Sequence, residues 1–398
     1  MSFVRWHLAL GFERLYLYFD DAGAAPVGLA ELEAYLEKDE AAGERVERVR
    51  RTEKLADEER CLCASFERFG PFVDAEVQAR QALNAEHASI RARERGLRWL
   101  VHIDIDELFF ASNRRAFLEH FAAMDASEVG HVTYANHEGV PEAGDAVDYF
   151  ASVTLFRVNH LRVPLSDAAL RAMQWWRDRT RRGQYLLCYD NGKSAVRLVE
   201  GVAPTSVHAW SLGAARLRRR TALCDARALA VEDVDAALDE PCVLHYVACG
   251  KFWLRTKYEI LGDFDDAWFG GALPIAASFH LDSRDVVVGS GDAAVFDRFY
   301  DAHLAPPDRD TIRRHLDAGV LRSYTAVKTF LRGTHCDDGR EERCLTREPA
   351  TERCLENTTT TTSTQLQQPT TTLTYEKAWI LSSAANSFLS LQKKTKNN

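Results

Sequence analysis

The chain has 398 residues, 46% of them hydrophobic, and a net charge of −9. That length and apolar content support one large domain or two ordinary ones, each with a real core. The acidic balance speaks against a dedicated nucleic-acid binder, which is usually basic. The arginine clusters at 177–182 and 216–220 read as solvated faces. No run of about 18 apolar residues occurs, so no transmembrane helix is predicted. The amino terminus carries Arg5, His7, Glu13 and Arg14 and no small-residue cleavage site, unlike a signal peptide. Nine cysteines include the pair Cys61 and Cys63, and Cys336, Cys344 and Cys354. None of these spacings matches a zinc site, and disulfide pairing stays open.

In chain order, Trp6–Leu10 reads as a helix stopped by Gly11. Residues 14–19, RLYLYF, form an aromatic, alternating strand that runs into Asp20 and Asp21. Residues 28–38 are helical. A long helix capped by Asp74 runs to Arg95 and stops at Gly96. A strand follows over 97–103 and leads into Asp104, Asp106 and Glu107. Strands alternating with helices predict an α/β sheet with mainly parallel pairing. Ligands of such sheets bind beyond the carboxyl ends of the strands, where both acidic clusters fall. After residue 128 short strands succeed one another (GHVTYAN, ASVTLFRVN, KSAVRLVEG, TSVHAW, CVLHYVA), which predicts a mixed or antiparallel extension. Residues 251–262 and 307–333 read as helical. From Asn357 a Thr-rich, low-complexity run is expected to be disordered, and 374–398 to form a loose helix. Asn357-Thr358-Thr359 is a glycosylation sequon, meaningful only in a secretory compartment.

The sequence WLVHIDIDELFF (99–110) carries the chemistry. Three carboxylates beside an apolar strand repel one another and lose hydration unless a cation compensates. Strand alternation would point Asp104 and Asp106 the same way, with Glu107 opposite. Two such carboxylates suit a hard divalent cation, Mn²⁺ or Mg²⁺, which could neutralise a diphosphate.

WHLALGFERLYLYFDDAG, followed about eighty residues later by WLVHIDIDELFF, resembles the glycosyltransferases of family 92 and their family-2-like relatives. Their pattern is a Trp-His-Gly helix, an aromatic strand ending in Asp, and a strand ending D-x-D-E. GKSAVRLVEGVAPTSVHAW (192–210) resembles their Lys-then-His segment, and VLHYVACGKFWLRTK (243–257) their H-Y…K stretch. The resemblance covers residues 1 to about 260. It implies a GT-A fold, a Rossmann-like mixed sheet, spanning 1–300, with a helical extension over 301–355 and the low-complexity tail over 356–398. It also implies a UDP- or GDP-sugar donor, a glycan, protein or lipid acceptor, Mn²⁺ or Mg²⁺, and an inverting reaction. By the same resemblance Asp104 and Asp106 are the metal-binding acids, Asp104 also facing the donor ribose, with His208 a third ligand. Asp20 and Asp21 lie on the nucleobase side, and His245, Lys251 and Lys257 approach the diphosphate. No catalytic base is assigned; Glu138, Asp145 and Asp265 are the acids that follow the D-x-D in loop-like contexts.

The relatives begin one strand earlier, so a missing strand is expected to leave an exposed sheet edge and an incomplete nucleotide pocket. An N-terminal anchor, common in the relatives, would place the protein in the Golgi or another secretory membrane; without one it would be cytoplasmic. Two other readings compete. One is a GT-A-like scaffold that binds sugars or partner proteins without turnover. The other is a haloacid-dehalogenase-type phosphatase, whose D-x-D also follows an apolar strand but continues differently.

Overall fold

The computed structural model describes residues 1–20, 29–142, 146–160, 165–222 and 241–333, and the backbone of 379–384. Asp21, Asp145 and the Thr-rich run lie outside the described residues.

Helix α1 (Ser2–Leu10) ends at Gly11, whose φ of 119° lies in the left-handed region open to glycine. Strand β1 (Arg14–Phe19) follows. Helices α2 (Leu29–Lys38) and α3 (Glu40–Arg45) lead to β2 (Val46–Arg50), parallel to β1. Helices α4 (Glu53–Leu62), α5 (Phe66–Phe69) and α6 (Val77–Glu94) carry the chain to β3 (Trp99–Asp104). Then come β4 (Glu107–Phe110), α7 (Arg114–Ala126), β5 (Val129–Tyr134), β6 (Asn136–Gly139), β7 (Leu155–Arg157) and α8 (Asp167–Arg177). Strand β8 (Lys193–Arg197) precedes the hairpin of β9 (Ala203–Ser206) and β10 (Ala209–Ser211), then β11 (Arg218–Ala222) and β12 (Cys242–His245). Helix α9 (Lys251–Leu261), a small hairpin of β13 (Ala267–Trp268) and β14 (Leu273–Pro274), α10 (Ser278–Arg284), α11 (Ala293–Leu304) and α12 (Arg309–Asp317) follow. Strand β15 (Leu321–Ser323), α13 (Ala326–Gly333) and β16 (Trp379–Ala384) complete the elements.

Two mixed sheets organise the molecule. The larger has the order β11-β5-β8-β3-β16-β1-β2; the smaller has the order β15-β7-β6-β12-β4. Parallel pairing joins β2, β1, β16 and β3, whereas β8 runs antiparallel to both β3 and β5. The expected parallel core with an antiparallel extension is therefore present. Both faces of the large sheet are covered. Leu15, Leu17 and Phe19 pack with Trp6, Val101 and Ile103, while Tyr16 and Tyr18 pack with Ala85, Ala88, Ala92 and Leu100. Burial on both faces explains why β1 is apolar throughout. The alanines on α6 allow that helix to sit close to the sheet. Helix α13 joins the same core, with Phe330 edge-on to Trp6 at 5.8 Å.

Four expectations change. The acidic segment is not one strand. β3 stops at Asp104, a turn follows, and β4 crosses into the smaller sheet to pair antiparallel with β12. The Asp104 amide donates to the Glu107 carboxylate at 2.8 Å, which closes that turn. Alternation therefore does not carry across residues 104–107, and Glu107 turns back beneath Asp104. The long helix begins at Val77, after Glu76 rather than Asp74. Glu76 instead accepts from the amides of Phe269 and Gly270. The stretch 307–333 is broken by Gly319, at φ 71°, and by β15. Finally, 379–384 is a strand, not part of a loose helix. It lies between β1 and β3, in the middle of the large sheet.

Glu138 on β6 ties the smaller sheet to the 185–190 segment. Wholly buried, it accepts from Arg157 at 2.8 Å and from the amides of Leu187 and Cys188 at 2.6 and 2.9 Å. Removing one member of a buried, hydrogen-bonded ion pair typically costs about 3–5 kcal/mol. Glu138→Ala should lower unfolding stability in urea by roughly that amount. The double variant Glu138→Gln/Arg157→Met should lose markedly less, because it buries no uncompensated guanidinium.

Candidate active site

A cavity of about 860 Å³ opens beyond the carboxyl end of β3, lined among others by Asp104, Asp106, His208, His245 and Lys257. Asp104 Oδ1 accepts from Gln81 Nε2 of α6 at 3.0 Å, and its Oδ2 accepts from Lys193 Nζ at 2.9 Å. Lys193 opens β8, which runs antiparallel to β3 with Ser194 beside His102, and this register brings the buried ammonium to the end of β3. The same ammonium lies 3.7 Å from Glu107, which also accepts a hydrogen bond from the Tyr189 hydroxyl. Asp106 accepts from Lys257 Nζ at 2.7 Å and lies 3.7 Å from His245 Nε2. His245 ends β12, opposite Glu107 in the antiparallel register, while Lys257 projects from α9.

Two lysines therefore supply the charge balance that the acids require. Burial alone would raise the carboxyl groups of Asp104 and Asp106. Lys193 outweighs it at Asp104, and Lys257 with His245 outweighs it at Asp106, so both stay below the ordinary aspartate range. Glu107 shifts the other way: its burial prevails over the pull of Lys193. Burial lowers Lys193 and Lys257 less than their acidic neighbours raise them, and both remain protonated. His245 is likewise pulled down by burial and raised further by Asp106, ending above its ordinary value.

His208 lines the same cavity, with Nδ1 2.8 Å from the Gly192 carbonyl and its ring 4.6 Å from that of Tyr189. Burial, helped by Lys193, lowers it to about 3, so it is neutral and able to offer a nitrogen lone pair. Among the described residues no three His, Cys, Asp or Glu side chains converge as a cage for a metal ion. The residues do fit a cation that arrives with its ligand. Mg²⁺ in phosphate sites is typically held by one or two carboxylates plus the phosphates rather than by an all-protein cage. Asp104 and Asp106 both face the cavity where such a ligand would lie.

The remaining sequence candidates lie elsewhere. Asp20, at the end of β1, pairs with Arg80 at 3.0 Å and does not line this cavity. Lys251, at the start of α9, pairs with Asp297 and Asp301 at 3.3 and 3.0 Å and also stands off the cavity. Glu138 is held by Arg157 and two amides, and Asp265 does not reach the lining. Sequence reading missed the parts played by Lys193, Gln81 and Tyr189. A lysine opening the apolar run KSAV was a usable signal for the first, since a charge entering a central strand requires a partner. Asp190 is the third carboxylate on the cavity wall and makes no ion pair among the described residues. Cys61, Cys63, Cys188, Cys242 and Cys249 are free thiols. Among the described residues no helix is long and apolar enough to cross a membrane.

Comparison with known proteins places this site in context. Over 221 residues the chain is 27% identical to two Arabidopsis thaliana proteins, Glycosyltransferase-like At2g41451 and Glycosyltransferase-like At3g57200. The aligned region is 53% of this chain and 46% and 40% of theirs, so the chain spans less than half the length of these curated relatives. No family model and no solved structure matches. The relatives thus point to a glycosyltransferase-like protein, the class that the residue patterns at β1 and β3 resemble.

Because His245 is raised by Asp106, its contribution to stability is full below about pH 6.5, the ordinary histidine value, and fades as pH rises through the raised value. The melting temperature of the wild type should therefore exceed that of His245→Gln most at low pH, with the gap narrowing as pH rises above about 6.5. Thermal melts across that rise check it, and a gap that widens with pH would refute the assignment.

Proposed function

We propose that this chain is the donor-binding and catalytic part of a GT-A-type glycosyltransferase, moving a sugar from a UDP- or GDP-sugar to a hydroxyl of a glycan or other glycoconjugate. The observation that carries the reading is the cluster at the end of β3: two ionised aspartates, each held by a lysine, at the mouth of a cavity large enough for a nucleotide sugar. The similarity to glycosyltransferase-like relatives supports the same class.

Each group then has a role. Lys257 reaches the cavity from α9 and supplies positive charge for the donor diphosphate. Lys193 lies deeper and fixes Asp104 and Glu107, so the strand end keeps its shape as charge moves in front of it. Mn²⁺ or Mg²⁺, when bound with the donor, would be held by Asp106 and Asp104 and would offset charge on the departing diphosphate. Tyr149, Trp253 and Trp268 give the cavity an aromatic wall that suits a sugar face and excludes water. Asp190, the cavity carboxylate without an ion pair among the described residues, takes the proton of the attacking acceptor hydroxyl. As the acceptor oxygen bonds to the anomeric carbon, the bond from that carbon to the diphosphate oxygen breaks on the opposite face, inverting the centre. A second reading, a sugar-binding scaffold without turnover, draws on the fact that both aspartates are already neutralised by lysines.

Calorimetric titration of UDP, with and without Mn²⁺, tests the donor site in wild type and Asp106→Asn. Binding strengthened by Mn²⁺ in the wild type and insensitive to it in Asp106→Asn is the expected result; equal affinities in all four titrations would overturn the metal-assisted reading. For catalysis, Asp190→Asn should lower donor turnover about 10²–10⁴-fold while leaving UDP affinity unchanged, the range for loss of a general base. Unchanged turnover would remove Asp190 from the mechanism, and absence of turnover in the wild type would favour the scaffold.

A further inference from the structure

Strand β16 is the one element of the large sheet that reaches it from the far end of the chain, beyond residues 334–378. It is not an edge strand. All six of its residues pair in parallel with β1, from Arg14↔Trp379 to Phe19↔Ala384, and four pair with β3, from Ile380↔Val101 to Ser383↔Asp104. Neighbouring strands stand about 4.8 Å apart, so without β16 the two halves of the sheet would face each other across a slot roughly twice that wide. The slot could not close by simple collapse, because α1 and α6 pack across both faces of the flanking strands. It would instead present two rows of unpaired backbone groups inside the molecule.

We propose that the space between β1 and β3 is an acceptor site for one parallel strand, and that residues 379–384 occupy it as a separately docking donor strand of this same chain. Three observations support this. The donor sequence, Trp-Ile-Leu-Ser-Ser-Ala, is a short run without charge or proline, as a strand buried in mid-sheet requires. Its ladder satisfies both flanking edges at once, whereas strand addition at a sheet edge satisfies one. In sequence it stands 45 residues beyond α13, a separation (334–378) long enough for the segment to reach the slot. The register also gives the strand a positioning role. Ser383 lies beside Asp104 and Ala384 beside Phe19, so β16 sets the spacing between the carboxyl ends of β1 and β3, and the cavity opens beyond the second of these.

The test uses the full chain and no nucleotide, so its outcome is independent of the proposed activity. A protease site placed within Thr358–Thr362 allows the chain to be cut after folding. The carboxyl-terminal fragment should stay bound through gel filtration, and a labelled synthetic peptide spanning 375–388 should exchange with it. Leu381→Pro, which deletes a ladder amide, should release the fragment after cutting. Hydrogen exchange on the uncut wild-type chain gives the second readout, with the amides of 380–383 expected to be protected at least 100-fold over those of the Thr-rich run. A fragment that separates on cutting while the melting temperature of the remainder is unchanged would overturn the proposal. Amides at 380–383 that exchange as fast as the Thr-rich run would overturn it equally.

Discussion

Everything at the candidate site depends on how three carboxylates at the end of one buried strand are kept charged or neutral. Asp104, Asp106 and Glu107 are too close to be ionised together in apolar surroundings without compensation. The molecule brings in two ammonium groups from different elements: Lys193 from the strand antiparallel to β3, and Lys257 from a helix that follows β12. Neither lysine is near the acids in sequence. The site therefore exists only when the antiparallel register of β8 and the docking of α9 are both correct. Folding errors in either element would leave buried charge unpaired, which is far more costly than losing an exposed salt bridge.

The same arrangement divides the acids by task. Asp104 is held from two sides, by Gln81 and Lys193, and sits where β16 also pairs with β3. Glu107 belongs to the next strand, in the other sheet, and closes the turn through the Asp104 amide. These two residues hold the geometry. Asp106 sits on the turn itself and meets Lys257 and His245, both of which line the open cavity. It is the acid whose partners a polyanionic ligand could draw away. On the proposed function, a diphosphate entering the cavity would offer Lys257 a second anion, and a cation accompanying it would offer Asp106 a second positive partner. Exchange of this kind conserves local charge at every stage, which is how a site can be stable empty and still bind a strongly charged ligand.

How much of this was legible in the sequence follows from the range of each interaction. Local signals were sound. Gly11 ends α1, RLYLYF is a strand, the helix before Gly96 exists, and Asp20 and the Asp104 cluster fall at carboxyl ends of strands in an α/β sheet. Errors arose where a tertiary contact overrides a local rule. Two-residue alternation failed across 104–107 because the chain changes sheets there, a step fixed by the pairing of β4 with β12 more than 130 residues later. Capping preference favoured Asp74, but the helix start is set at Glu76, whose carboxylate is held by the backbone of residues 269–270. Lys257 was noticed as a cation that could approach a diphosphate; its pairing with Asp106 was not. Lys193 entered only as part of the Lys-then-His segment; its burial and its pairing with Asp104 and Glu107 come from the fold.

The central sheet extends that lesson to topology. The family resemblance led to the expectation of a missing strand and an exposed sheet edge. In the sheet order β16 lies between β1 and β3. A mid-sheet position is a stricter requirement than an edge, because two rows of backbone donors and acceptors are left unpaired instead of one. It is also a requirement that sequence order does not enter: any extended, uncharged segment that can reach the slot in parallel orientation satisfies the same hydrogen bonds. Residues 379–384 do so from the opposite end of the chain. The strand end that carries the site is thus flanked by a segment which contributes no motif to it, and whose place becomes visible only when the pairing of its two neighbours is followed residue by residue.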